Sequence, residues 1–484
     1  MVHDRPDTQV VVVGAGPVGL LLAGELRLGG ARVVVLERRT GPLTESRATT
    51  LHARTMEILD SRGLLETIPA PPNDLRGHFA GIPLDLGLPG SHPGQWKVPQ
   101  AATERLLGDW AAGLGADIRR GHEVRAVTRN AGYVEAEALG PRGPVRIRAD
   151  HLVACDGEDS TVRRLVGAEF PGHDARREMV RADVDGIDVP DRRFERLPDG
   201  LAIAARRPDG VTRLMVHPHG TPARTRTGVP AFAEVSEAWK RVTGEDVSTG
   251  VPLWVNAFGD ASRQLARYRH GRVLFAGDAA HRQMPIGGQA LNLGLQDAFN
   301  LGWKLAAEVT GRAHPGLLDT YHDERHAVGA RTLASIEAQA LLLLGGPEVD
   351  AVRTLIRELV AHAPVRAHLA AAVGGLDVRY PVGGPPHPLL GTRLPAVPLA
   401  AVGGAPATST QALRAGRGLL LGRGTPPGLG GRAVPVFAPG EAGEGADGGW
   451  TLVRPDGHVV LAGARADTHR KEFHDALTRW FPAG

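Results

Sequence analysis

Cysteine is nearly missing from this chain of 484 residues, which has a single one, Cys155. One thiol excludes an internal disulfide and suits a reducing compartment. The sequence also lacks a cluster of cysteine and histidine at metal-ligand spacing, so we expect no metal site. Long apolar runs and a signal peptide are missing too. We therefore expect a cytoplasmic protein without a membrane span.

Lysine and aromatic residues are scarce. Lysine occurs only at positions 97, 240, 304 and 471, and Phe, Trp and Tyr together make up 4% of the chain. The net charge is only +3, and no basic run with interleaved aromatics is present, so we expect no nucleic-acid partner. The chain is too long for one hydrophobic core, which predicts two or three domains.

What the sequence does have is a nucleotide-binding pattern near its start. Residues 10–38 read as a buried strand, a glycine turn, a helix and a second strand. Gly14, Gly16 and Gly19 permit, in that order, the tight turn, the close approach of a pyrophosphate, and close packing of helix on strand. Glu37 ends the second strand, where a carboxylate accepts hydrogen bonds from an adenosine ribose and disfavours a 2′-phosphate. The stretch predicts an adenine-dinucleotide site.

Two later strands also end in an aspartate. The first leads into the Asp156-Gly157 turn and a short helix. The second, at residues 272–278, ends in Asp278 and leads through a Gly-rich loop to a long helix from Leu291. A carboxylate at a strand end suits the hydroxyls of a polyol chain, and free N–H groups at a helix start suit an electron-rich ring edge.

These three segments, GAGPVG…LER at 14–38, ACDGEDSTVRRLVG at 154–167 and the run at 272–305, occur in an order that resembles the FAD-dependent aromatic hydroxylases of the para-hydroxybenzoate hydroxylase class. The chain looks most like actinobacterial polyketide hydroxylases that act on angucycline and anthracycline rings. The resemblance implies an α/β fold: a Rossmann-like FAD-binding domain of the glutathione-reductase type, an inserted mixed or antiparallel β-sheet substrate domain, and a C-terminal thioredoxin-like domain.

On that resemblance we predict the domain boundaries. The FAD-binding domain comprises residues 1–75, 98–174 and 270–372, and the substrate-binding domain comprises residues 76–97 and 175–269. Residues 373–398, dense in Gly and Pro, form a linker. Residues 399–484 form the thioredoxin-like domain. That domain has no C-x-x-C, so it cannot perform dithiol chemistry, and we expect it to serve in packing or as an interface.

The resemblance also implies the cofactor site. Arg47 lies beside the cofactor, Gln100 contacts the ribityl–phosphate region, Asp278 binds the ribityl hydroxyls, and the loop from Pro285 lies along the isoalloxazine ring. Asp156-Gly157 touches both FAD and NAD(P)H. The predicted cofactor-binding residues are Gly14, Gly16, Pro17, Val18, Gly19, Glu37, Arg38, Arg47, Gln100, Asp156, Gly157, Asp278, Pro285, Gly287, Gly288 and Asn292.

No catalytic acid or base can be named from the sequence. Pro285, Gly287 and Gly288 are expected to position the flavin, and Arg47 is a candidate catalytic residue. We interpret His52, His217, His219 and His281 as structural or solvent-facing. Trp96 is a candidate stacking residue for a planar substrate, with a core role equally open. The family usually has Gly-Gly-Gln-Gly before its long helix, whereas Ala290 stands here in the last position. If that backbone needs φ > 0, Ala290 strains it.

The implied reaction is a monooxygenation that uses FAD, NADPH (or NADH) and O₂. NADPH reduces FAD, a C4a-hydroperoxyflavin forms, and its distal oxygen passes to an electron-rich ring of a polycyclic aromatic polyketide. The protein orients the substrate and excludes water. Two alternatives stay open: a Baeyer–Villiger, epoxidising or antibiotic-inactivating monooxygenase, and a flavin-binding protein without turnover. The chain is expected to act as a monomer or homodimer.

Overall fold

The computed structural model describes residues 6–42, 49–399, 407–422, 433–436, 449–464 and 469–481. Its strands, in chain order, are β1 (Thr8–Val13), β2 (Val33–Glu37), β3 (Thr50–His52), β4 (Asn73–Asp74), β5 (Arg76–Phe79), β6 (Ile82–Asp85), β7 (Gln95–Lys97), β8 (Asp117–Arg120), β9 (Glu123–Arg129), β10 (Val134–Gly140), β11 (Gly143–Ala154), β12 (Gly172–His173), β13 (Glu178–Asp185), β14 (Arg192–Leu197), β15 (Gly200–Arg206), β16 (Thr212–Pro218), β17 (Val251–Gly259), β18 (Ser262–Gln264), β19 (Arg269–His270), β20 (Val273–Phe275), β21 (His281–Arg282), β22 (Gly418–Leu421), β23 (Ala433–Val436), β24 (Trp450–Val453) and β25 (Val459–Ala464). Its α-helices are α1 (Pro17–Leu28), α2 (Ala53–Asp60), α3 (Gln100–Gly113), α4 (Thr161–Leu165), α5 (Phe232–Thr243), α6 (Gln289–Val309), α7 (Thr320–Leu344), α8 (Asp350–Ala361), α9 (Ala363–Gly374), α10 (Ser409–Ala412) and α11 (Arg470–Trp480).

In the main sheet, the strands next to β1 run parallel to it. β1 lies between β2 and β11, and β20 follows β11, all in parallel. The apolar sequence of β1 suits this position because a strand in a parallel sheet is covered on both faces, and residues 10–13 are buried. Val13 pairs with Ala154, which pairs with Phe275. The carboxyl ends of three strands therefore meet at one edge of the sheet, and α1 and α6 pack together beside it.

Strand β11 belongs to two layers at once. The sequence predicts a short strand at 145–147 in a small antiparallel layer and a separate strand after residue 150. The structure has one strand of 12 residues instead. Its first half pairs antiparallel with β10, and its second half pairs parallel with β1 and β20. The prediction of two strands was wrong because the alternating part and the continuous apolar part of the sequence were assigned to different elements.

A second sheet, in the order β14-β15-β16-β13-β17, is antiparallel. One face packs on α5, whose Trp239 is fully buried. The other face carries Met179, Leu201 and Ile203, which contact α7 and the loop before α6. Strand β14 was not predicted, because its sequence RRFERL is mostly charged. It lies at the edge of the sheet, where charged side chains reach solvent.

Residues 70–100, whose Pro and Gly content predicts an excursion out of the nucleotide fold, contain short strands. β3, β7 and β4 form one small sheet, and β5 and β6 form a hairpin. Helices α7, α8 and α9 follow the main domain. Among the described residues, α7 is the single helix long and apolar enough to cross a membrane by length and composition. It packs against α6, and the core helix of a soluble protein can meet the same criteria.

The C-terminal strands form a mixed sheet in the order β23-β22-β24-β25. β22 and β23 are parallel, the other neighbours are antiparallel, and α11 follows the last strand. This order is that of a thioredoxin-like module, so the predicted fold class is confirmed. The segment predicted as a linker contributes Val378, Tyr380 and Val382 to one core with α11 and Trp303 of α6. The exact domain boundaries stay predictions.

The hairpin between β24 and β25 inserts charge into the interior. Arg454 is fully buried, and its guanidinium donates to Glu324 of α7 at 2.6 Å and to Asp456 at 2.5 Å. Lys304 of α6 donates to the same glutamate at 2.8 Å. Burial raises the pKa of Glu324, but the charges of Arg454 and Lys304 oppose it and lower the pKa to about 2. Glu324 is therefore ionised at neutral pH only because its partners are in place.

A second contact fixes the same hairpin. Arg62, which is ion-paired with Glu25 of α1 at 2.6 Å, donates to the Pro455 carbonyl at 3.2 Å. It also donates to the Leu413 carbonyl at 2.9 Å. Arg54 of α2 donates to the Asp456 carbonyl at 2.9 Å. Side chains of the N-terminal domain therefore hold the backbone of the C-terminal module.

We predict that Arg454→Met strongly destabilises the protein. Removing one partner of a buried ion pair leaves the acids uncompensated and costs about 3–5 kcal/mol. The measurement is the midpoint of guanidinium unfolding. Arg479→Met is the matched control, because both arginines lie over the Trp480 ring, at 4.8 and 4.9 Å, but Arg479 is exposed. Its expected effect is within about 0.5 kcal/mol; equal losses in the two variants would contradict the buried network.

Candidate functional site

The turn after β1 has the geometry that the glycine spacing predicts. Gly14 has φ = +105°, and a Cβ there would lie 2.4 Å from the Cys155 carbonyl oxygen. A Cβ on Gly19 would lie 2.0 Å from the Gly14 carbonyl oxygen. Around Gly16 the space is different, because a Cβ there would have nothing within 4 Å among the described residues. The turn is thus closed on the protein side and open where a pyrophosphate would approach.

Helix α1 starts at this turn with its first N–H groups available. Gly16 precedes the helix, Pro17 occupies its first turn, and no side chain caps it. An uncapped helix N-terminus favours an anion through its N–H groups and its dipole. Val18, next in the helix, packs on Gly277 and Gly294, whose Cβ positions lie 3.1 and 2.8 Å from it. Val18 therefore brings the first and third predicted segments together.

Glu37 is buried and tied to the turn. Its Oε2 accepts the Ala15 N–H at 2.8 Å, and its Oε1 accepts the Arg39 N–H at 2.8 Å. Each carboxylate oxygen accepts more than one hydrogen bond, so both can also receive a ribose hydroxyl. Arg38, the next residue, is exposed. The carboxylate consequently has a structural role in the turn that the sequence pattern did not predict.

Asp278 lies at the same edge, in the 3₁₀ turn Gly277–Ala279 that follows β20. It is exposed. The turn is held from behind by Asp297 of α6, a fully buried carboxylate whose Oδ2 accepts the Gly277 N–H at 3.1 Å and the His281 Nε2–H at 2.8 Å. Its Oδ1 accepts from Arg325 of α7 at 2.7 Å. Asp297 therefore fixes the backbone on which Asp278 stands.

Asp156, the other predicted acid at a strand end, forms a hydrogen bond with the helix that follows it. Asp156 Oδ2 accepts the Val162 N–H at 3.1 Å, while Oδ1 has no partner among the described residues. Burial raises the pKa of Asp156. Gly157 has φ = +84°, and burial raises the pKa of the neighbouring Cys155 thiol well above its usual value. The thiol is therefore protonated and unreactive at neutral pH.

The loop before α6 places its positive φ angles on its two glycines. Gly287 has φ = +64° and Gly288 has φ = +72°, whereas Ala290 lies inside α6 and has no positive φ. The strain considered for Ala290 is therefore absent. Pro285 is exposed at the start of this segment. We call the segment Pro285–Gly288 the flavin loop, after the role that the resemblance implies.

Asn292 clamps the flavin loop to β3. Its amide group donates to the Thr50 and Gly288 carbonyls at 3.0 and 2.7 Å. Its Oδ1 accepts the His52 N–H at 2.8 Å and the Thr55 hydroxyl at 2.7 Å. These four bonds use the hydrogen-bonding capacity of the side chain. The Asn292 side chain can therefore support the loop, but it has no hydrogen-bonding capacity left for a ligand.

His52 is buried directly beside this clamp. Its pKa is lowered to about 4, mainly because the side chain is buried. The charge of Lys97 also lowers the pKa, whereas the backbone carbonyls of Gly287 and Val373 raise it. The imidazole is therefore neutral at physiological pH. Its Nε2 has no hydrogen-bond partner among the described residues. A buried, unpaired ring nitrogen beside the flavin loop is a feature that sequence reasoning missed.

The other predicted site residues lie on or just after β7, which pairs with β3, or outside the described residues. Arg47 belongs to the segment 43–48, which the structure does not describe. Gln100 is the first residue of α3 and is partly exposed. Trp96 on β7 packs against the main core, with its indole N–H buried and unpaired among the described residues. That contact is compatible with the core role, and substrate stacking by Trp96 stays a prediction.

Three further histidines were considered from the sequence. His281 is fully buried on Asp297. His217 is buried, and its Nδ1 donates to the Glu178 carbonyl at 2.8 Å. His219 is partly exposed, and burial lowers its pKa. The bonds of His281 and His217 are structural.

The supporting residues on α6 had a signal in the sequence. Asn292, Gln296, Asn300 and Lys304 recur every fourth position in an apolar helix and form one polar stripe, which is buried. A polar stripe at helical spacing inside an otherwise buried helix indicates an internal hydrogen-bond network. The charge partners of the stripe, such as Glu324, come from distant segments and have no local signal.

An apolar core cluster lies between the flavin loop and the antiparallel sheet. Met284 and Ile286 of the loop region contact Met179, Leu201 and Ile203 of the sheet. Met215 and Phe258 pack at its margin and are only partly buried. The accessible parts of Met215 and Phe258 offer apolar surface that suits the face of a flat, apolar molecule, and a methionine side chain adapts to its outline.

Comparison with known proteins gives matches over nearly the whole chain. The family model described as FAD binding domain matches residues 7–335, and the one described as aromatic-ring hydroxylase, C-terminal, matches residues 387–483. A 12-dehydrotetracycline 5-monooxygenase/anhydrotetracycline 6-monooxygenase of Streptomyces rimosus is 42% identical, over 98% of both chains. A rifampicin monooxygenase of Streptomyces venezuelae is 40% identical, also over 98% of both. The crystal structure of an aromatic hydroxylase from angucycline biosynthesis is 46% identical, covers 99% of this chain and 100% of its own, and superposes with a TM-score of 0.92.

Two glycine variants separate folding from cofactor binding. We predict that Gly16→Ala folds as well as the parent, because its φ of −74° and open surroundings accept a Cβ. Its FAD affinity is expected to fall by at least about tenfold, or about 1.4 kcal/mol, because the Cβ occupies the approach of the pyrophosphate. Gly19→Ala is expected to lose both stability and affinity. The measurements are thermal unfolding of the apoprotein and FAD titration by flavin fluorescence. An unchanged FAD affinity in Gly16→Ala would show that the pyrophosphate does not bind at this turn.

Proposed function

Because the chain belongs to the family of FAD-binding aromatic-ring hydroxylases, we propose that it is an FAD-dependent monooxygenase that hydroxylates a polycyclic aromatic polyketide. The observation that carries the proposal is the convergence of three strand ends, β1, β11 and β20, at one edge of a parallel sheet. In open α/β sheets, ligands bind outside the carboxyl ends of the strands. The phosphate turn, Asp156 and Asp278 stand at this edge.

The residues at the edge fit FAD. The open surroundings of Gly16 and the uncapped start of α1 suit its pyrophosphate, the Glu37 carboxylate suits the adenosine ribose, and the exposed Asp278 suits the ribityl hydroxyls. The positive φ angles of Gly287 and Gly288 let backbone approach a ring closely. FAD, when bound, supplies the electron transfer and the activation of O₂. We propose NADPH or NADH as the reductant.

The protein contributes orientation and shielding. The flavin loop is held by the Asn292 clamp, and the turn of Asp278 is held by Asp297. Met215 and Phe258, which are only partly buried at the margin of the apolar cluster, would hold a face of the polycyclic substrate and keep water from the reacting atoms. Similarity to enzymes named for tetracycline and angucycline biosynthesis supports this substrate class.

One alternative within the same chemistry has a specific observation behind it. The 40% identical relative named as a rifampicin monooxygenase favours a role in the oxidation of an antibiotic. A Baeyer–Villiger or epoxidising reaction would use the same cofactor edge, and none of the polar groups described at that edge excludes it. We further propose that the protein works in the cytoplasm as a monomer or homodimer, without a nucleic-acid or membrane partner.

The proposed function predicts substrate-stimulated NADPH use. Purified, FAD-loaded protein in aerated buffer is mixed with NADPH, with and without a polycyclic phenolic polyketide, and absorbance and product mass are followed. We expect faster NADPH oxidation and a product heavier by one oxygen atom that derives from labelled O₂. Gly16→Ala is the control, since it is expected to bind FAD poorly. Flavin binding without stimulation by any polycycle would contradict the hydroxylase, and a ring-expanded lactone would identify a Baeyer–Villiger enzyme.

A further inference from the structure

A small cavity lies next to the flavin loop. It has a volume of about 20 Å³. Its walls come from β3, the start of α6, α7 and the end of α9, and they include His52, Gln289, Thr332, Val373 and Asp377. Arg331 also lines it and is half exposed, so the cavity lies close to solvent on that side.

Three polar atoms in the walls lack partners among the described residues. They are His52 Nε2, Gln289 Nε2 and Asp377 Oδ1. His52 is 2% exposed and Gln289 is 6% exposed. A buried polar atom without a hydrogen bond costs about 1–3 kcal/mol, and native proteins rarely leave one unpaired. Three of them around one cavity indicate a shared ligand that satisfies them together.

The size and charge of the cavity select the ligand. A buried water needs about 10–15 Å³ and two to four polar partners, which this cavity supplies. The negative charge of the Asp377 carboxylate is already compensated, since its Oδ2 forms an ion pair with Arg331 at 2.6 Å. The site therefore has no charge left for a cation. The donor from Gln289, the acceptor on Asp377 and the neutral imidazole of His52 match a single water, which donates and accepts.

The cavity is adjacent to the two glycines of the flavin loop. Gln289 Nε2 lies 3.7 Å from the Cβ position of Gly287, and His52 Nε2 lies 3.8 Å from that of Gly288. Asn292, which also lines the cavity, clamps the same loop to the His52 backbone. A molecule bound here would contact the two side chains that lie next to the glycines of the loop.

We propose that this cavity holds one ordered water that bridges His52, Gln289 and Asp377 and thereby positions the flavin loop. Gln289 and His52 are then positioning residues that act on the cofactor through the loop. The positioning role rests on the proposed function, because it requires a flavin against the loop. The water site itself does not, since all of its partners belong to the protein.

The first test is a crystal structure of the FAD-loaded protein at a resolution that shows ordered water. We expect density within hydrogen-bond distance of His52 Nε2 and Gln289 Nε2. A second crystal, of Gln289→Leu, is expected to lose that density. A dry cavity in the parent protein would overturn the proposal, and so would His52 and Gln289 bonding directly to each other.

The second test measures the flavin in solution without turnover. Gln289→Leu is expected to shift the visible absorption of bound FAD and to weaken its affinity several-fold. Asp377→Asn keeps the acceptor and is expected to retain the water and the spectrum of the parent. Thr332→Val is the matched control on the cavity wall, because the Thr332 hydroxyl donates to Val328 at 2.9 Å within its own helix. It is expected to leave the flavin spectrum unchanged.

The two tests separate this proposal from the proposed function. A spectrum and an affinity unchanged in Gln289→Leu would overturn the positioning role. Water in the cavity together with a failed hydroxylation assay would reject the proposed reaction and leave the water site standing. If Gln289→Leu does not fold, Gln289→Met, which also lacks the donor and keeps an unbranched side chain, provides the same comparison.

Discussion

The buried carboxylate of Asp297 is the contact on which the site depends. It accepts hydrogen bonds from the backbone after β20, from His281 and from Arg325. The Arg325 guanidinium also donates to the Leu293 carbonyl at 3.2 Å and to the Tyr380 hydroxyl at 3.1 Å. A buried pair of this kind is costly to break because either partner alone would be an uncompensated charge. It thus fixes the relative positions of α6, α7 and the Asp278 turn.

Helix α6 is hydrogen-bonded to several parts of the molecule and connects them. Its first turn carries the Asn292 clamp, its middle carries Asp297, and its end carries Lys304, which reaches Glu324 and the C-terminal hairpin. A helix with buried polar groups along its length is stable only if every group finds its partner. The C-terminal module supplies Arg454, which pairs with Glu324, the acid that also binds Lys304 of α6. This gives a physical role to a thioredoxin-like module without a dithiol.

Much of the fold could be predicted from the sequence. The first strand, the glycine turn and Glu37 are local signals with a fixed order, and the family inferred from the three segments is confirmed by both family models. The site was harder. The structural bonds of Glu37 were not predicted. The clamp by Asn292 joins residues 240 and 242 positions apart, and the cavity beside the unpaired nitrogen of His52 is lined by residues at least as distant in sequence, such as Asn292 and Val328. Strand β14 was missed because an edge strand does not need an apolar pattern.

The long-range bonds of the C-terminal hairpin also set an order of events in synthesis. Arg62 donates to the Pro455 carbonyl, 393 residues later in the chain. Glu324 can accept from Arg454 only after that residue has been synthesised. At roughly 5–20 residues per second on the ribosome, the N-terminal part waits tens of seconds or more for these partners. Until then the Arg62 N–H groups and the Glu324 oxygens that bond to the hairpin must stay hydrated. The nucleotide-binding half of this enzyme is therefore completed only when the last hairpin of the chain arrives.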